Sequence, residues 1–164
     1  MKKRMLWLGL IVVVALAVAI PIANAAGGRH SNRGHGHHGN HGRSLQGLVA
    51  AHIAALHACD ADALTAGYTN DAKLFFPDGT VVTGRAAIQQ LYDGFVKSLA
   101  DGGLCGLHAQ PVDSFQRGRS IFVKFEVTAP FLAETYFSTD GYIFKGNRIA
   151  SEVSTFDASK LKFK

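Results

Sequence analysis

Residues 121–128 read IFVKFEVT. Ile121, Val123, Phe125 and Val127 alternate with Phe122, Lys124, Glu126 and Thr128, the period of two that gives a strand two unlike faces. Downstream, Tyr136 to Phe144 and Arg148 to Phe156 read as two more strands, joined at a Lys145-Gly146-Asn147 turn. Upstream, Leu107 to Phe115 reads as a strand in which Pro111, with no N–H to donate, predicts an edge position or a bulge. Farther back the period becomes 3.6. After Ser44, a capping residue, Leu45, Leu48, Val49, Ile53 and Leu56 recur on one helix face, and His52 shares that stripe. Asp60 caps a second short helix, with Leu64 and Tyr68 inward and an end near Asn70. KLFFP (73–77) and TVVT (80–83) then flank the hairpin-turn pair Asp78-Gly79. A third helix is expected from about Gly84 to Ala100, with Ile88, Leu91, Tyr92, Phe95 and Leu99 on one face. Three helices at the N-terminal side and an antiparallel sheet make the class α+β.

The first 43 residues differ in kind. Residues 1–25 have a basic start (Lys2, Lys3, Arg4), an apolar run and Ala23-Asn24-Ala25, the pattern of a signal peptide cleaved before Ala26. The alternative is an uncleaved anchor, since Leu6 to Ala23 is just long enough to span a bilayer. The expectation is export, periplasmic or secreted, with no stable membrane insertion after cleavage. Residues 26–43 form a His/Gly-rich segment, expected to be a disordered linker because it has too little apolar area to offset backbone entropy. His35, His37, His38 and His41 match no closed four-ligand spacing, so no metal and no cofactor is assigned.

Residues 44–164 are the domain. The chain's six N-terminal cations account for its net +5, and the domain itself has 11 cations against 12 anions. That balance excludes nucleic acid as a partner, because phosphate binding needs clustered Lys and Arg on the folded surface. The nucleophile elbow, C-x-x-C pair, P-loop and dinucleotide-binding glycine run are all missing from the sequence. Export would place Cys59 and Cys105, each in a turn after a helix, in an oxidising compartment, where they are candidates for a disulfide.

Two segments, ALHACDADALTAGYTNDAKLFFPDGTVVTGRAAIQQLY (55–92) and TDGYIFKGNRIASEVSTFD (139–157), resemble the nuclear-transport-factor-2-like superfamily. Within it the chain is most similar to the SnoaL-like and ketosteroid-isomerase-like branch, over about residues 44–157. The resemblance implies a cystatin-like α+β fold, a curved sheet wrapped over the long helix into a cone with an apolar pocket at its open end. It also implies a homodimer through the outer sheet face. Ketosteroid isomerase uses an Asp base and an oxyanion hole of one Tyr and one protonated Asp. By motif, His52 stands at the place of that Tyr, Asp140 at that of the oxyanion Asp, and Phe76 at that of the base. Phe cannot move a proton, so ketosteroid isomerisation by that route is not expected.

Dehydratase and polyketide-cyclase branches rely on His or Asp projecting into the cone, which makes Asp140 and His52 the candidate proton-transfer pair. Phe76, Tyr92, Phe95, His108, Phe125, Tyr136 and Tyr142 are the candidate ligand-binding residues. Glu126, Glu134 and Glu152 read as solvated charges on the sheet. The function expected is an exported domain that binds a small apolar or aromatic molecule. The alternatives are a lyase or isomerase using Asp140 and His52, and a dimeric interaction module without pocket chemistry.

Overall fold

The structure, a computed structural model, describes residues 44–164, so the expected leader (1–25) and linker (26–43) lie outside the described residues. Helix α1 spans Leu45–His57, and the Ser44 side chain accepts the Gly47 N–H at its start. Helix α2, Ala61–Ala66, is capped in the same way by Asp60 on the Ala63 N–H. It ends earlier than the expected Asn70: Gly67 closes it, and β1 begins at once, Tyr68–Phe75. Tyr and Thr after a glycine favour extended backbone, and pairing with the sheet decides between helix and strand. Strand β2 is Val81–Thr83, and the Asp78 carboxylate holds the intervening turn through the Thr80 N–H.

Helix α3 runs Arg85–Phe95 from Gly84, whose φ of +88° suits a residue without Cβ, and the Gly84 N–H donates to the Ala72 carbonyl. The helix stops five residues short of Ala100. A separate 3₁₀ turn, Leu99–Asp101, follows with its own Ser98 cap, which leaves Leu99 exposed rather than on the buried face. Strands β3 (His108–Arg117), β4 (Ser120–Thr128), β5 (Tyr136–Lys145) and β6 (Arg148–Ser154) complete the elements of the sheet. Pro111 lies on the edge strand β3, beside a register shift between Pro111 and Asp113.

The strand order is β2-β1-β6-β5-β4-β3. The sheet is mixed rather than wholly antiparallel, because β6 enters between β5 and β1 and runs parallel to β1. Local periodicity cannot show which non-neighbouring strands pair. The sheet is curved and open, and its inner face packs on the helices. Leu64 of α2, Ile88 of α3 and Leu74, Ile121 and Val123 of the sheet are all but fully buried there, each contributing roughly 1.5–3 kcal/mol. Cys59 and Cys105 form a disulfide that ties the end of α1 to the loop after α3, with Cα atoms 5.5 Å apart. Closing that separation of 46 residues restricts the unfolded chain by about 4 kcal/mol in the chain-entropy description.

The outer face carries a row of apolar side chains on five of the six strands, with Gly141 at the β5 position. Phe115 of β3 lies opposite Phe122 of β4, Phe122 opposite Gly141 of β5, Gly141 opposite Val153 of β6, Val153 opposite Phe75 of β1, and Phe75 opposite Val81 of β2. Phe115 is 63% exposed, and Phe122, Val153 and Val81 are about half exposed. The Phe122 ring lies over Gly141, where a Cβ would come within 2.7 Å of it.

Candidate functional site

The inner face holds a cluster of acids and tyrosines. Glu152 of β6 is 4% exposed, and its carboxyl oxygen accepts the Tyr68 hydroxyl proton. The hydroxyls of Tyr68 and Tyr92 are 2.9 Å apart. A phenol has one proton, so with Tyr68 donating to Glu152, Tyr92 donates to Tyr68. Burial is the first cause that pushes the Glu152 carboxyl up to about 8, the negative charge of Asp140 is the second, and the Tyr68 hydrogen bond works the other way. Burial and the Asp140 charge thus both favour the neutral carboxylic acid of Glu152 over its carboxylate. Burial likewise raises Tyr68, Tyr92 and Tyr142 well above the usual phenol, with Glu152 as the next cause for each.

Asp140 stands beside this cluster and is only half-buried. Its carboxylate accepts from the Ser154 hydroxyl at 2.8 Å and from the Thr155 N–H at 3.3 Å. Burial raises it to about 6, against the lowering effect of Ser154, Thr155 and Tyr142. The Ser154 oxygen also accepts the Phe156 N–H, and the Asp157 N–H reaches the Tyr136 hydroxyl. These bonds link Asp140 to a half-buried chain of rings. Tyr136 meets Phe156 edge to face at 5.6 Å, Phe156 meets Phe95 at 5.8 Å, and Phe95 meets Tyr92 at 6.4 Å. This aromatic rim and Asp140 are half-buried, whereas Glu152, Tyr68, Tyr92 and Tyr142 are buried.

His52 is 9% exposed, and its ring lies edge-on to Tyr68, Tyr142 and Tyr92 at 5.7, 5.9 and 6.0 Å. Burial lowers it to about 4, so it is neutral, and its Nδ1 is buried without a hydrogen-bond partner among the described residues. The expected pairing with Asp140 is not formed: α1 presents His52 to the tyrosine rings, while Ser154 at the end of β6 and Thr155 just after it hold Asp140. Tyr92, Phe125 and Tyr142 are buried side chains that fill the interior instead of bordering an open pocket. Phe76, Phe95 and Tyr136 are half-buried against the same core. His108 is exposed and meets the His57 ring at a 44° tilt, with centroids 4.8 Å apart, away from the cluster.

Glu126 and Glu134 keep solvent contact, Glu134 through an ion pair with Lys162. Glu152 does not, which corrects its reading as a solvated charge. Strict alternation from the buried Ile149 would turn Ser151 and Val153 inward. The register shifts instead: Phe144 faces Ile149, yet Ile143 faces Ser151, so the extra residue is Ala150. That bulge turns Glu152 and Ser154 in and Val153 out. The run S-E-V-S contains no sign of the phase change; only the partner strand supplies it. Among the described residues no three His, Cys, Asp or Glu are grouped to hold a metal.

Among proteins of curated function none matches the chain. Solved structures with the same fold include an uncharacterized cystatin-fold protein from Novosphingobium aromaticivorans, 22% identical, covering 66% of this chain and 95% of that one at a TM-score of 0.55. A second is described as a putative polyketide cyclase from Sinorhizobium meliloti, with 23% identity, 66% and 93% coverage and a TM-score of 0.54. A third is described as a putative ketosteroid isomerase from Kribbella flavida, with 13% identity, 67% and 75% coverage and a TM-score of 0.54. At these identities the likeness shows the fold. The SnoaL-like domain family matches residues 49–154, from the middle of α1 to the end of β6, and the chain belongs to that family.

Proposed function

We propose that this is an exported domain that binds a small, flat, largely apolar molecule carrying one carbonyl or hydroxyl oxygen. The observation that carries this reading is the graded path from the Tyr136–Phe156–Phe95 rim to Asp140 and then to Glu152 and its tyrosines. Each edge-to-face ring contact is worth about 0.5–1.5 kcal/mol beyond its buried area, little enough for a flat ligand to replace it with its own. The acids and phenols behind the rim supply hydrogen-bond donors and acceptors that would orient the ligand's oxygen. Similar folds described as a putative polyketide cyclase and a putative ketosteroid isomerase agree in kind with such a ligand.

Titration with 2-naphthol, followed by its own fluorescence, tests the reading. Saturable binding is expected, weakened on the order of tenfold by Asp140→Asn, since a hydrogen bond to a charged group is worth roughly 1.5–3 kcal/mol. Binding that is unchanged in Asp140→Asn and in Phe156→Ala would overturn it. Export rests on the leader pattern and is supported by the Cys59–Cys105 disulfide. Intact-mass analysis of the secreted or periplasmic protein should find a chain that starts at Ala26; a mass that includes Met1 to Ala25 would show an anchor.

One observation favours a partner as well. The apolar row across the outer face is the kind of surface that a two-fold dimer buries against its own copy. Sedimentation should show a dimer that Phe122→Lys converts to a folded monomer. A wild-type monomer at all accessible concentrations would dispose of the dimer and leave the ligand reading standing.

A further inference from the structure

A hollow of about 300 Å³ opens between α1, the α2–β1 junction and the β5–β6 hairpin. Its room comes from small side chains, Ala51 on α1 with Ala63 and Ala66 on α2. Phe144 and Ile149 make it apolar on the sheet side, and His52 forms part of its wall. The volume sits at the small end of ligand cavities, which suits a single ring or a short branched chain.

Charge makes the hollow selective. Arg148 is the one charged residue among those that line it, and none of them is acidic. Arg148 makes no ion pair among the described residues. Arg119, which donates to the Gly146 carbonyl at the tip of the same hairpin, places a second cation at this end, while Lys145 has Asp71 for a neighbour. A guanidinium at the edge of an apolar hollow matches a carboxylate, which it holds through two parallel N–H···O bonds while the ligand's body is buried. We propose that this hollow is a second binding site, separate from the aromatic rim, for a compact monocarboxylate whose apolar body lies on the alanines and whose carboxylate meets Arg148. The inference stands apart from the rim ligand, since Phe95, Tyr136 and Phe156 take no part in it.

The probe is benzoate, titrated into the ¹⁵N-labelled domain, with benzyl alcohol as the uncharged control. Saturable amide shifts are expected at Gly67, Asn147 and Arg148 and not at Phe95 or Phe156. Arg148→Gln should weaken benzoate on the order of tenfold. Ala63→Leu, a helix-compatible change at an exposed position, should abolish binding by filling the hollow while the rest of the spectrum is kept. Benzyl alcohol binding as tightly as benzoate, shifts confined to the rim, no saturation at millimolar benzoate, or full affinity in Arg148→Gln would each overturn the proposal.

Discussion

Over their middle residues, the two faces of the β5–β6 pair are chemically inverted. Inward they present Asp140, Tyr142, Glu152 and Ser154; outward they present Gly141, Ile143 and Val153 beside Phe122. A sheet selected for stability alone would place the apolar set inside and the acids in water. Withdrawing Glu152 fully and Asp140 in part from water costs solvation, which is the first cause of the upward shift of both. Such costs concentrate where a protein does chemistry or binds, and exposed apolar rows where it meets a partner. In the function proposed above, the inner face of these two strands is the ligand side and the outer face the assembly side.

The largest effect that would sharpen this contrast comes from truncating one aromatic on each side. Tyr142→Ala should cost roughly 3–5 kcal/mol in urea unfolding, because a fully buried ring leaves a cavity. Phe122→Ala, on the exposed row, should cost below about 1 kcal/mol at concentrations where the chain is monomeric. Equal losses would erase the distinction.

Next, Tyr68→Phe removes one hydroxyl and strands two groups, Glu152 and Tyr92. A loss of about 1–3 kcal/mol is expected. The titration of Glu152, read from its side-chain carbon resonance, should also move further up, since the Tyr68 bond is what restrains it.

The pH dependence follows from the same acids. Glu152 is raised from 4.5 to about 8, so the folded state holds a proton that the unfolded state has lost, and stability falls as pH rises through that window. Asp140, raised from 3.8 to about 6, acts in the same direction at lower pH. His52, lowered from 6.5 to about 4, acts oppositely between those values, where stability rises with pH. Above pH 6.5 Glu152 acts without either, and the slope should approach a loss of about 1.4 kcal/mol per pH unit, one proton's worth. Glu152→Gln should flatten the decline between pH 6.5 and 8; an unchanged slope would mean that the acid is not the group responsible.

The smallest effect is the control. Glu126→Gln, on the outer face of β4, should shift stability by less than about 0.5 kcal/mol with no change in pH profile. A large change there would show that glutamates on both faces are alike.

Much of this molecule was legible from local pattern. The alternation at Ile121 to Val127 and the 3/4 spacing from Leu45 to Leu56 depend on neighbours two to four residues away, so the α+β class and the buried place of His52 follow from the chain itself. The family was legible too, in two motif-bearing segments whose order and spacing the fold requires. Tertiary structure alone decided three things. The parallel pairing of β1 with β6 joins strands more than 70 residues apart, which no local period encodes. The end of α3 at Phe95 was decided by how the following turn packs, which leaves Leu99 outside. Most consequentially, the bulge at Ala150 exists only against β5, and a one-residue slip reverses every side chain beyond it. That slip placed Glu152 among the tyrosines and Val153 in the outer row, because the face of a strand residue is a property of the ladder and not of the residue.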